Sequence, residues 1–330
     1  LDDAKRQAIH LKIGRLLRDA MLTEQRSPEH KENRFMLLAV LEQLNHASLL
    51  VTDPHERIQL ASMNLQAAEG AKLAGVWEVA ANYAAEGMQL LPEDAWQSQY
   101  ELCYELHLLR IECEYLSIQV ELANQLSETV LTNARSDYER ASVCYLQLSY
   151  NLSRRLHWAM EQGLTGLRYC GLDIPEIDQI NHEWADKEEA LLTEQLQTVD
   201  LKKIISTTKE NISQALQLEC LILTRLTGYS QVAGMYPLLR YSNYRAMGLM
   251  LNRGAGKQTV TILGLYSVLL AKQHRYIDAN FFAKTALQLV ELYPQSTQLP
   301  VFYNGIGAMQ WFYTSPFTDA IEFQQKSHEL

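Results

Sequence analysis

A stripe of small residues, repeated along the chain, limits the possible folds more than any other feature. In the stretch Tyr276 to Pro294 (YIDANFFAKTALQLVELYP), Ala279, Ala283, Ala286 and Val290 fall at i, i+4, i+7 and i+11. That spacing places them on one line along a helix, and alanines there let a second helix approach closely. The template recurs as Ala80, Ala84, Gly87 and as Ala159, Gly163, Gly166. Weaker copies are Ala123, Ser127, Val130 and Ala320, Gln324, Ser327. Successive copies start 43, 36, 120 and 41 residues apart, a period of about 40 residues with two copies worn away, which is the signature of a stacked helical repeat.

A repeat array also escapes the usual arithmetic of about 150 residues per domain. Each unit contacts its neighbours, so 330 residues can form one array. Apolar residues make up 47% of the chain, ample for a core. Gly and Pro are sparse, at 15 and 8, so no linker stands out. Pro28, Pro54, Pro92, Pro175, Pro294, Pro300 and Pro316 fall where helices start or stop, and Pro237 fits the first turn of a helix, where its missing N–H costs nothing.

Taken in order, the pattern predicts helices over 2–22 and 32–51, a third begun by Asp53-Pro54, and others at 76–91, 98–116, 118–133, 137–153 and 157–170. The 98–116 helix is apolar nearly all round, leaving Glu101, Glu105 and Glu112 for water, as a helix buried on two sides requires. Gly163 and Gly166 lie inside a helix at a cost of about 1 kcal/mol each. Close approach of a partner helix explains them best. From Asp173 to Lys203 the chain turns acidic, with Glu183, Asp186, Glu188, Glu189 and Glu194 opposite Trp184, Leu191 and Leu192. Ser206-Thr207-Thr208 breaks it. Helices are expected again at 209–228, 236–252, 257–274, 276–293, 299–313 and 317–330. Alternating strand patterns are absent, so the expected fold is all-α, an α-α superhelix of fourteen to sixteen helices in antiparallel pairs.

Composition excludes several functions. The net charge is −10, and no Lys/Arg cluster is dense enough to track a phosphate backbone, so nucleic acid is not an expected partner. No apolar run reaches about 18 residues, so a membrane partner is not expected. Cys103, Cys113, Cys144, Cys170 and Cys220 lack zinc or redox spacing. They read as buried thiols of a cytoplasmic protein. Leu1 and the helical pattern AIEFQQKSHEL at the other end read as a piece of a longer polypeptide.

Chemical motifs fail one by one. Gly254-Ala255-Gly256-Lys257-Gln258-Thr259 suggests a phosphate loop, but position 251 is Leu, Gln258 follows the lysine, and no strand feeds it. Gly254 reads as a helix terminator instead. His182-Glu183 opens like a zinc-protease motif, but Asp186 stands where the second histidine belongs. His107 and His157 are isolated on helices. No catalytic residue, metal ligand or cofactor is expected. Tyr229, Tyr236, Tyr241, Tyr244, Arg240, Arg245 and Arg253 are the residue types of binding hot spots. Arg240, Tyr241, Tyr244 and Arg245 form the candidate interaction surface. The competing reading packs the tyrosines in the core with arginines running past them.

Ala80, Ala84, Gly87 and Pro92 together are similar to the second helix of a tetratricopeptide repeat (TPR). Because the period is about 40 residues and the first-helix pattern is degraded, the array is TPR-like. A closer resemblance is carried by Ile9–Leu17 (IHLKIGRLL), Glu56–Trp96 and Tyr100–Leu116 (YELCYELHLLRIECEYL). These resemble the helical-repeat region of large bacterial signalling proteins, in which a Ser/Thr kinase-like domain and an AAA-type ATPase come first and GAF and sensor histidine kinase domains follow. The resemblance implies that residues 1–55 are the trailing edge of an ATPase module. It implies that 56–330 are a repeat array running on past the C-terminus, with no catalytic residues of their own. The expected role is a non-enzymatic arm that binds protein surface or a peptide, flanking domains of the same polypeptide included. The alternative is a small-molecule sensor holding an effector in the superhelix, which needs a sealed, mainly apolar pocket rather than an open groove. An enzyme, the third class, needs titratable groups converging in a cleft.

Overall fold

Asp53 and Pro54 start a helix as their chemistry demands. The Asp53 carboxylate accepts hydrogen bonds from the backbone N–H groups of His55 and Glu56, and Pro54 occupies the first turn. Similar local rules place the other elements. The computed structural model describes residues 2–24, 32–151, 155–198, 212–254 and 256–290, together with Ile321 and Gln325. Among the described residues there are fourteen helices and no strand. They are α1 (Asp3–Glu24), α2 (Glu32–His46), α3 (Pro54–Leu73), α4 (Trp77–Leu90), α5 (Ala95–Ser98), α6 (Tyr100–Leu116) and α7 (Val120–Asn133). Then come α8 (Asp137–Tyr150), α9 (Leu156–Tyr169), α10 (His182–Thr198), α11 (Gln214–Ala233), α12 (Tyr236–Arg253), α13 (Thr259–Lys272) and α14 (Tyr276–Val290). The chain is all-α, and it divides into two compact units, Leu1–Arg135 and Ser136–Leu330.

In the first unit, consecutive helices pack in pairs: α1 with α2, α3 with α4, then α4 with α6 and α6 with α7. A single apolar cluster runs across residue 55, joining Val40, Leu41 and Leu44 of α2 to Leu60 and Ala61 of α3 and to Ala80 and Ala84 of α4. The small stripe does what its spacing suggests. A Cβ on Gly87 would stand 2.8 Å from a methyl of Leu106 and 3.3 Å from the Ala61 carbonyl oxygen. Gly14 follows the same rule without belonging to any repeat, since a Cβ there would lie 2.5 Å from Leu44. Asn64 is wholly buried, and its amide is satisfied by Asn45 and the Leu60 carbonyl oxygen. On α6, Glu101 and Glu105 face water, while Glu112 pairs with Lys72.

The second unit opens with a reciprocal cap. Ser136 Oγ accepts from the Glu139 N–H, and the Glu139 carboxylate accepts from the Ser136 N–H. Here α8 pairs with α9, α9 with α11, α11 with α12 and α13 with α14, while α10 lies on α12. Added methylene groups have no room on α9. A Cβ at Gly163 would meet Leu148 at 2.9 Å and Leu226 at 3.0 Å, and one at Gly166 would meet Ile222 at 3.0 Å and Cys144 at 3.1 Å. Ala279, Ala283 and Ala286 are fully buried on α14. Pro237 sits in the first turn of α12, and Gly254 ends that helix at φ +79°.

Several boundaries differ from the sequence pattern. The helix read over 32–51 stops at His46, and Ser48–Leu50 form a single 3-10 turn that leads Val51 into the core. The segment after Asp173 is not α-helical until His182: Ile174, Ile177 and Ile180 are buried along it, with a 3-10 turn at Ile177–Gln179. The helix expected to end at 228 runs to Ala233 and closes on Gly234 in the left-handed region. The Ser206–Thr208 break, the small-residue copy from Ala320 to Ser327 and the helix expected at 299–313 lie outside the described residues. Of the stretch expected at 317–330, the described Ile321 and Gln325 are helical.

Candidate functional site

Of the tyrosine and arginine cluster, Tyr229 lies on α11 and the rest on α12, against which α10 packs. Tyr244 is only 1% exposed and accepts a hydrogen bond from the Gln273 amide at 2.7 Å. Tyr241 is buried beside Trp184 of α10, and burial pushes its hydroxyl up to about 12. Arg240 reaches between the rings of Tyr236 and Tyr244 to the carboxylates of Asp186, at 2.7 Å, and Glu189. Arg245 pairs with Glu188 at 3.4 Å. The structure therefore brings all four candidate residues together. It also pairs Arg240 and Arg245 with the acidic helix of the same unit and buries Tyr241 and Tyr244. That pairing joins two features the sequence shows separately, an acidic helix and an Arg cluster about fifty residues later, and complementary charge was the signal that could have joined them.

Other suspected positions take structural roles. His107 is buried, its Nδ1 lies 2.7 Å from the Cys103 carbonyl oxygen and its ring meets that of Trp96 at a tilt, with centroids 4.7 Å apart. Burial lowers its pKa, favouring the neutral ring. Cys103, Cys113, Cys144 and Cys220 are buried and Cys170 partly so. Burial pushes Cys103, Cys113 and Cys170 up to about 11 and Cys220 up to about 12, so these thiols stay protonated and unreactive. Glu219 is buried on α11 and its carboxyl is raised by burial, against the pull of Arg245 and Arg253. Among the described residues, no cluster of His, Cys, Asp and Glu could hold a metal. None of the described helices is long and apolar enough to cross a membrane.

An open concavity lies elsewhere among the described residues, in the first unit, between α2 and α4. It encloses about 720 Å³ and is lined by Phe35, Leu38, Glu42 and His46 from α2 and by Val79, Asn82, Tyr83 and Glu86 from α4. These residues share one face of each helix by their three- and four-residue spacing. By spacing, Phe35 falls near the same face of α2 as Leu38, Leu41 and Leu44. Leu41 and Leu44 are indeed buried, whereas Phe35 is 80% exposed. Val79 is likewise 42% exposed on the opposite wall.

Two contacts set the register of the walls. Asn45 of α2 bonds to Asn64 of α3, and Asn64 packs on Gly87 of α4. The C-terminal halves of α2 and α4 therefore stand at a similar level, and Glu42 and Glu86 both line the concavity. Phe35 and Val79 line it seven residues earlier, one on each wall. Burial, and after it the charge of Glu42, raises the Tyr83 hydroxyl above its ordinary range. This groove was not legible as a site, because periodicity identifies an apolar residue but not whether anything covers it.

No family model matches the chain, and no curated protein or solved structure matches it.

Proposed function

We propose that this chain is a non-catalytic, TPR-like interaction arm of a multidomain signalling protein, and that it holds protein surface or a peptide in the groove between α2 and α4. The observation that carries the reading is that groove: two alternate helices, both packed on α3, leave between them an open channel with Phe35 and Val79 in solvent. Stacked helix pairs offer such channels to extended segments or to a partner helix. Exposed apolar side chains on facing walls are what an unoccupied protein-binding surface presents. The signalling context rests on the resemblance of Glu56–Trp96 and Tyr100–Leu116 to the repeat region of large kinase- and ATPase-bearing proteins. The sensor alternative is less well supported, because exposed walls do not enclose a small effector.

Pull-down of the chain against the flanking domains of its parent protein tests the proposal. Capture is expected with the native sequence and is expected to be lost with Phe35→Asp and Val79→Asp together, at unchanged helical content. Capture that survives both changes would move the site off this groove.

A further inference from the structure

The groove has a polarity that selects its occupant. One end is apolar, with Phe35 and Val79, and seven residues later on each wall stands a carboxylate, Glu42 or Glu86. At 1.5 Å rise per residue the two ends are about 10 Å apart. Neither carboxylate has an ion-pair partner among the described residues. Of the cations on the neighbouring helices, Arg15 and Arg18 pair with Glu56, Lys72 with Glu112, and Arg110 with Glu114. Arg57 of α3 donates to the carbonyl oxygens of Val51, Gln89 and Leu90. The Asn45 amide is held inward by Asn64, whereas Asn82 is exposed on the wall and can meet a peptide main chain.

We propose that the groove binds a peptide segment carrying an apolar or aromatic anchor and a Lys or Arg about 10 Å away along its length. The inference rests on the interaction reading above and adds the partner's chemistry. In an extended segment that distance is three residues, and in a helix it is seven. The anchor lies between Phe35, Leu38 and Val79, and the cation lies between Glu42 and Glu86. An acidic segment is rejected, because it would place like charges together in a partly dry site. The chain's net charge of −10 steers a basic segment toward it from a distance.

A displayed library of random 16-residue peptides, selected on the full 330-residue chain, tests this directly. Enriched peptides are expected to pair an apolar residue with Lys or Arg three or seven positions away. In fluorescence polarisation the best of them is expected to bind about 10-fold more weakly to Phe35→Ala, and at least 10-fold more weakly to the Glu42→Lys, Glu86→Lys double variant. The same peptide with its cation changed to Glu is expected to regain binding to the double variant. Raised salt is expected to weaken the native pairing and to spare the apolar contribution. Phe35 and Glu42 are exposed and Glu86 half-buried, so the variants are expected to keep the native circular dichroism and melting curve. Enriched peptides that are acidic or uncharged, or a charge swap that restores nothing, would overturn the basic-partner inference while leaving the groove reading in place if Phe35→Ala still weakens binding about 10-fold. A selection that yields no binder dependent on Phe35 would overturn both.

Discussion

Two glycines of the second unit make a controlled experiment. Gly163 lies inside α9 and Gly228 inside α11, and both are candidates for alanine by helix propensity, worth about 1 kcal/mol each. Their surroundings differ. A Cβ at Gly228 meets nothing within 4 Å, whereas at Gly163 it stands 2.9 Å from Leu148 and 3.0 Å from Leu226. Carbon atoms pack best at about 3.5–4.0 Å, so the new methyl overlaps both neighbours by half an ångström or more. Each leucine is fully buried and so has little room to turn away. Overpacking of this kind costs about 1–3 kcal/mol. Gly228→Ala is therefore expected to stabilise the unit by about 0.5–1 kcal/mol. Gly163→Ala is expected to leave it unchanged or to weaken it by up to about 2 kcal/mol, and Gly163→Leu to weaken it further. Urea unfolding followed by circular dichroism reads both, and because the two sites share one unit they report on the same transition. Equal stabilisation by the two alanines would refute the close-approach argument.

In the first unit, Glu56 accepts two hydrogen bonds from Arg15 and one from Arg18, at 2.6–2.9 Å, and the Arg15 bonds lead in holding its carboxyl below the usual range. Its contribution is therefore complete above the unfolded carboxyl pKa and fades as pH falls through the lower native value. Glu56→Gln is expected to cost about 1–2 kcal/mol at pH 7, with the difference from the native chain closing in acid melts. Glu219 behaves oppositely. Burial raises its carboxyl, so stability drains as pH climbs from the unfolded toward the native pKa, and Glu219→Gln is expected to gain on the native chain over that window in a pH series of unfolding curves. On α12, Arg240→Glu sets a charge against Asp186 and Glu189 and is expected to weaken the unit by about 1–3 kcal/mol. Hydrogen exchange would quicken across His182–Thr198, and adding Glu189→Arg is expected to recover part of the loss.

What was legible in the sequence was what local chemistry decides. Asp53-Pro54 had to start a helix, Gly254 had to end one, and Gly87, Gly163 and Gly166 were too expensive inside helices unless a neighbour needed the space. Gly14 needed that space too, but it stands alone, so no repeat drew attention to it. Tertiary facts were out of reach. Arg240 and Glu189 lie 51 residues apart, and nothing local says that the acidic helix folds back onto that arginine. Phe35 obeys the same periodicity as Leu41 and Leu44, and only the packing shows that it has been left outside.

On α4, the groove wall and the small-residue stripe are neighbours: Val79, Tyr83 and Glu86 stand one residue before Ala80, Ala84 and Gly87, about 100° around the helix. The helix works like a sliding jaw whose setting screw is hidden in the core. A methyl added at Gly87 would press on Leu106 of α6 and on Ala61 and Asn64 of α3, and so shift the jaw bodily with no surface residue changed. Selection can thus retune the grip by changing bulk where no partner ever touches, and two descendants with identical groove residues could hold different segments.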